Sequence, residues 1–194
     1  MLDQFEQWLK EVREDAVAAK MATAKEANIS NWKKIIWKAP DKNRAIKAKF
    51  REMSQKLKAS GHFEVKCRSS KNGGEWLYDL VWHKVDKMGN MIEVILTMEI
   101  EMSYMDECIK RHDFNKLLQA DSIYKVFVFQ QKTEADVMLG MEKLKSAAAH
   151  YRFRTGSDFL LCGWSTQKND FFFGRFYARP DSAMPTLQEH RLVA

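Results

Sequence analysis

Cysteine is scarce and poorly placed for joint work. Cys67, Cys108 and Cys162 are odd in number and far apart, and no Cys-x-x-Cys pair occurs. Neither a disulfide framework nor a zinc knuckle is therefore suggested, and a reducing cytoplasm is the expected compartment. No run approaches the roughly 18 consecutive apolar residues of a membrane-spanning helix. The start, Met1-Leu2-Asp3-Gln4-Phe5-Glu6, lacks the basic-then-apolar order of a secretory signal, so none is expected. His62, His83, His112, His150 and His190 are scattered, with no His-x-x-x-His pair. Ser157 and Ser165 lack a nucleophile-elbow context, and Gly73-Gly74 reads as a turn rather than a phosphate-cradling loop. Internal repeats and low-complexity segments are also missing. Zinc, serine-hydrolase and P-loop chemistries thus lose their usual carriers.

What remains is a chain of 194 residues, 45% hydrophobic and 30% charged, the composition of one well-cored domain. Its net charge of +6 has two readings, a surface for polyanions such as nucleic acid or anionic lipid and a merely Lys-rich soluble protein. The excess is uneven. Residues 31–58 hold Lys33, Lys34, Lys38, Lys42, Arg44, Lys47, Lys49, Arg51, Lys56 and Lys58 against only Asp41 and Glu52. The tryptophans in this basic stretch, Trp32 and Trp37, have two readings: stacking on bases or anchoring a helix to a core.

Periodicity orders the elements. Residues 2–28 predict a helix with Phe5, Trp8, Leu9 and Val12 on one stripe, then helix-favouring alanines. Pro40 ends a short turn built on Trp32, Ile35, Ile36 and Trp37, and Asp41 caps a helix from Lys42 to Leu57. Strands follow at Phe63 to Arg68, Glu75 to His83 and Met91 to Met102, joined by short turns into an antiparallel meander. A short helix at 113–120 precedes a strand from Tyr124 to Gln130. Thr133 caps a helix reaching Tyr151, and Phe159 to Thr166 and Phe171 to Tyr177 close the chain as a strand pair. The fold class is α/β (mixed α+β): a central mixed sheet, a three-strand meander plus a crossover strand, flanked by helices. The expected organisation is an N-terminal helical extension (1–40), the sheet domain (41–180) and a C-terminal tail (181–194). The long first helix suggests a homodimer formed through it.

Acid inside a strand carries the chemistry. Asp79 sits in Glu75-Trp76-Leu77-Tyr78-Asp79-Leu80-Val81-Trp82, and Val94-Ile95-Leu96-Thr97-Met98-Glu99-Ile100-Glu101 is apolar until it ends in carboxylates. An unpaired buried charge costs several kcal/mol or loses its ionisation. Glu99 and Glu101 point to one face, about 6–7 Å apart. With Asp79 on the neighbouring strand facing Glu99, the carboxylates meet, and an all-oxygen ligand set selects Mg²⁺ or Mn²⁺. The matching reaction is phosphodiester hydrolysis. Lys116, one short loop and a helical turn beyond Glu101, is placed to steady charge on a phosphate. Each residue also has a plainer reading: Asp79 as a turn or strand-end residue, Glu99 and Glu101 as a strand end in solvent or in ion pairs, Lys116 as a solvated helix face, Arg111-His112-Asp113 as a loop entering a helix.

The succession helix, three strands, helix, strand over residues 42–130, with Asp79 on the second strand and Glu99-Ile100-Glu101 on the third, resembles the PD-(D/E)xK nuclease superfamily, the restriction-endonuclease-like fold. Asp79 fits the first acidic position and Glu99 the second. Glu101 stands where Lys is usual, and Tyr78 replaces the nominal Pro. The resemblance implies Asp79 and Glu99 as metal ligands, Glu101 and Lys116 as further catalytic residues with Lys116 as a migrated lysine, Mg²⁺ as cofactor, and nucleic acid, DNA before RNA, as partner. It also admits Glu52 as an outer metal ligand. The alternatives are a catalytically inactive nuclease-fold module for binding or assembly, and a small-molecule enzyme on an unrelated α+β fold.

Overall fold

A computed structural model describes residues 1–59, 65–69, 77–102 and 107–180. The element order is α1 (Leu2–Glu26), a 3-10 turn (Trp32–Lys34), α2 (Ala39–Ala59), β1 (Val65–Ser69), β2 (Leu80–Val85), β3 (Met91–Glu101), α3 (Glu107–Gln119), β4 (Tyr124–Gln131), α4 (Glu134–Ala149), β5 (Ser157–Ser165) and β6 (Asp170–Ala178). The strands form one mixed sheet in sequence order. The β1–β2, β2–β3 and β5–β6 pairs are antiparallel, while β3–β4 and β4–β5 are parallel through α3 and α4 as crossovers. The expected 181–194 tail and the turn at 70–74 lie outside the described residues. Among the described residues no helix is long and apolar enough to cross a membrane.

Strand alternation divides the core into two layers. Leu96, Met98 and Ile100 of β3, Val126 and Val128 of β4, and Leu160, Cys162 and Trp164 of β5 pack against α1 and α2. Phe127 and Phe129 of β4 and Phe159 and Leu161 of β5 face the other way, onto α3 and α4. Gly163 lies on this second face, where a β-carbon would collide with the Val137 side chain, so α4 rests close on the sheet. Thr133 closes a capping box with Asp136 at the start of α4.

The first helix is built into this core. Phe5 and Leu9 are fully buried, and Phe5 meets Trp8, Phe50, Trp82 and Tyr124 at ring separations of 5.4–5.8 Å. The stripe that suggested an extension or a dimer contact is thus covered by β2, β4 and α2 of the same chain. Asn28 ends the region of α1 with φ 51°, a left-handed value that asparagine adopts readily. The turn at Trp32 is shorter than expected, and α2 begins earlier, at Ala39. Pro40 therefore lies in the first turn of α2, where a missing N–H breaks no helical bond. Asp41 adds negative charge to that turn instead of preceding it as a cap.

Because α1 contributes a fully buried ring, Phe5→Ala is expected to lower unfolding free energy by about 3–5 kcal/mol, measured by urea unfolding of the full chain. A loss below about 1 kcal/mol would mean that α1 is an appendage.

Candidate functional site

The parallel strands β3, β4 and β5 end on one edge of the sheet, and the acidic residues gather there. Glu99 lies on the face of β3 turned to α3, with a relative exposure of 2%. Asp79 is not inside a strand as its sequence context suggested. β2 starts only at Leu80, and Asp79 occupies the bend before it. The local backbone explains the difference: Leu77 is exposed with φ 71°, a conformation costing a leucine roughly 1–2 kcal/mol. The chain therefore turns sharply just ahead of Asp79. Since Leu80 pairs with Met98, the next position back, Asp79, falls opposite Glu99. Its Oδ2 accepts a hydrogen bond from the Ile100 N–H at 2.8 Å, taking up the β3 ladder where β2 has ended.

Two ammonium groups enter from opposite layers. Lys47 of α2, buried, places Nζ 2.6 Å from Asp79 Oδ1. Lys116 of α3 lies 2.8 Å from Asp113 Oδ1 and 3.3 Å from Glu99 Oε2. Asp79, Glu99, Glu101 and Lys116 line one cleft of about 400 Å³, joined by Asn43 and Asp113. All four residues named from the sequence thus meet. Glu52 does not: it is exposed, pairs with Lys56 at 2.6 Å and lies in the groove between α1 and α2. A roomier cavity of about 550 Å³ between α3 and α4 has Arg111, Leu144 and His150 in its wall and, among the described residues, no carboxylate.

Sequence reasoning missed two participants. Arg111-His112-Asp113 belongs to α3 rather than to a loop, which puts Asp113 one helical turn before Lys116 on the same face. Lys47 was one basic residue among ten in a basic stretch. Its signal was the polar row Asn43, Lys47, Arg51 and Ser54, running beside the apolar stripe of Ile46 and Phe50. Arg51 donates to Ser69 Oγ of β1 at 2.6 Å, and Ser54 is buried, so this row faces the sheet.

The electrostatics follow from burial. Glu99 is raised to about 8, first by desolvation and then by the Asp79 and Asp113 charges, with Lys116 pulling the other way. Its Oε1 is buried and, among the described residues, has no hydrogen-bond partner. Burial pulls Lys116 down, but the Asp113 bond and the attraction of Glu99 outweigh it and hold its pKa above the ordinary value. With Glu99 protonated near neutral pH, Asp113 is the partner that holds the Lys116 charge, and the longer Glu99 contact is the weaker one. Tyr78 is raised by burial and then by Glu99. The cleft thus keeps its most buried carboxyl neutral while no further cation is present, and a cation beside Asp79 would favour loss of that proton.

Compared with known proteins, the chain finds no match: no family model, no curated protein and no solved structure.

Glu99 binds its proton more tightly in the folded chain than at the ordinary value of 4.5. The stability this proton adds is complete below about pH 4.5 and is lost as pH rises through about 8. In chelator, Glu99→Gln should therefore gain stability relative to the parent chain, by about 2–4 kcal/mol between pH 5 and pH 9. Urea unfolding at several pH values measures this, and a difference that stays flat with pH would contradict the assignment.

Proposed function

We propose that the protein is a divalent-cation-dependent phosphodiesterase acting on nucleic acid, with the restriction-endonuclease-like architecture that its order of elements resembles. One observation carries the reading. Asp79 and Glu99 face each other across the end of β2 and β3, and among the described residues the buried Glu99 Oε1 has no hydrogen-bond partner. An acid placed there solely for structure would have its oxygens satisfied.

Among the described residues, no three His, Cys, Asp or Glu side chains form a ready metal cluster. Mg²⁺ does not require one. It keeps several waters and takes one or two carboxylates, with phosphate oxygens completing its shell. The donor set of Asp79 and Glu99 fits that habit, and each carboxylate oxygen has lone pairs beyond those already used. When bound, the ion supplies Lewis acidity toward the phosphate and an activated water.

The protein's own groups do the rest. Lys47 balances the Asp79 charge, and the Ile100 N–H fixes the orientation of that carboxylate. Lys116 is partly exposed and held by Asp113 at the cleft, where its remaining N–H donors can take a phosphate oxygen. Glu101 shares the cleft wall at the position where a lysine is usual in the family. On this reading Lys116 supplies the cation that Glu101 cannot. The basic residues of α2 supply attraction for the polyanion.

The test is cleavage of supercoiled DNA, linear DNA and RNA in Mg²⁺ or Mn²⁺. Activity should require the ion, and Asp79→Ala and Glu99→Ala should each lower it by roughly 100-fold or more, with Lys116→Ala lowering it by roughly 10- to 1000-fold. A second reading, a nuclease-fold binding module without catalysis, draws on Glu101 and on the capture of Asp79 by Lys47. It predicts nucleic-acid binding that needs no metal, survives Asp79→Ala and Glu99→Ala, and is not followed by cleavage.

A further inference from the structure

A second unusual charge arrangement lies on the α1–α2 layer, beyond the carboxylate cleft. Lys20 of α1 and Lys42 in the first turn of α2 are 7% and 4% exposed. Each ammonium carries three donors, yet among the described residues each has a single hydrogen-bond acceptor: Asn169 Oδ1 for Lys20, and Gln130 Oε1 at 2.7 Å for Lys42. Both acceptors are neutral amides. Among the described residues neither lysine forms an ion pair. Their other partners are indole rings: Lys20 Nζ lies 5.3 Å from the Trp32 centroid, and Lys42 Nζ lies 5.9 Å from Trp37 and 5.6 Å from Trp164.

Nearby charge does not compensate. Asp170 is engaged by Arg13, which also donates to the Asn169 carbonyl. The two lysines repel one another, and burial followed by the Lys20 charge pushes Lys42 down to about 8. Burial likewise lowers Lys20. Amide oxygens and ring faces repay part of the desolvation, but a buried cation is ordinarily matched by an anion. Here two cations converge on the end of β5, Lys42 over Trp164 and Lys20 on Asn169, whose N–H bonds the Ser165 carbonyl, and among the described residues two N–H donors on each have no acceptor.

We propose that Lys20 and Lys42 form a phosphate-binding site, matched in charge to the dianion of inorganic phosphate or of a phosphate monoester. Trp32 and Trp37, half-buried beside it, offer ring faces to the base of a nucleotide. The site does not rest on the cleavage reading. It does share α2 with the carboxylate cleft: Asn43, the residue after Lys42, lines that cleft, and Lys47 binds Asp79 about 7.5 Å further along the helix. A terminal phosphate held by Lys42 would therefore lie near a strand entering the cleft, and the chain would distinguish nucleic-acid ends.

The test uses the full chain in chelator, so that no cleavage intervenes, with tryptophan fluorescence as the readout. Three probes are titrated: inorganic phosphate, a 5′-phosphorylated oligonucleotide, and the same oligonucleotide with a 5′-hydroxyl. The expected result is saturable binding of phosphate and at least tenfold tighter binding of the phosphorylated oligonucleotide. Both effects should be lost in Lys42→Met and Lys20→Met and kept in Asp79→Ala. Lys42→Arg keeps the charge and should retain part of the effect, which separates loss of the site from loss of the fold. Phosphate binding without discrimination between oligonucleotide ends supports the site, with free phosphate as its ligand. Absence of phosphate binding in the parent chain, or unchanged binding in folded Lys42→Met, overturns it.

Discussion

Two carboxyl groups facing each other at the end of an antiparallel pair set the terms for everything around them. Asp79 and Glu99 face each other one position beyond the Leu80–Met98 rung. Their repulsion adds to the burial of Glu99 and keeps that group protonated up to about 8. Lys47 arrives from one helical layer and Lys116 from the other, and each takes up charge that the sheet cannot disperse. The strained backbone at Leu77 belongs to the same arrangement, because it releases Asp79 from the pleat and lets its Oδ2 reach the Ile100 N–H. Removing either carboxyl would leave the lysines, the bend and the cleft without a physical reason for their placement.

Much of this was legible in the sequence. The order of strands and helices followed from period and turn residues, but the burial of the strands did not: β3 is exposed or half-buried over its first four residues, while β5 is buried over nearly all its length. The Glu99 face followed from alternation alone. The bend at Asp79 was not legible: Trp76-Leu77-Tyr78 reads as β-forming, and nothing local in those residues announces a left-handed Leu77. Lys47 was hidden for a different reason. A lysine on a basic helix is normally solvated, and only the sheet packed beneath α2 makes it an inward group. Asp113 was passed over for another reason: it was read as the end of a loop entering the helix, although the expected helix at 113–120 already set it three residues before Lys116. The fate of α1 was likewise a tertiary matter, since a helical stripe specifies a partner surface without saying that the partner is β2, β4 and α2 of the same chain.

The helix α2 ties the two charged regions together. Its apolar residues Ile46 and Phe50 fix it to the core, and its polar row then has few ways to point. Lys47 meets the carboxylates, Lys42 meets Gln130 at the end of β4, and Arg51 meets Ser69 on β1. One helix thus lays a line of cations along the edge where the parallel strands end, the edge at which open α/β sheets commonly bind ligands. The line is counterbalanced at Asp79 and, among the described residues, lacks an ion pair at Lys42; on the proposed function it would offer a polyanion an entry on one side and a hard cation a place on the other.

The account stands most directly on whether Asp79 and Glu99 take up a cation. Crystals of the full chain soaked in Mn²⁺ should give an anomalous peak in direct contact with both carboxylates, and the peak should vanish in crystals of Glu99→Ala. Manganese bound elsewhere on the protein, with no peak between these two side chains, would contradict it.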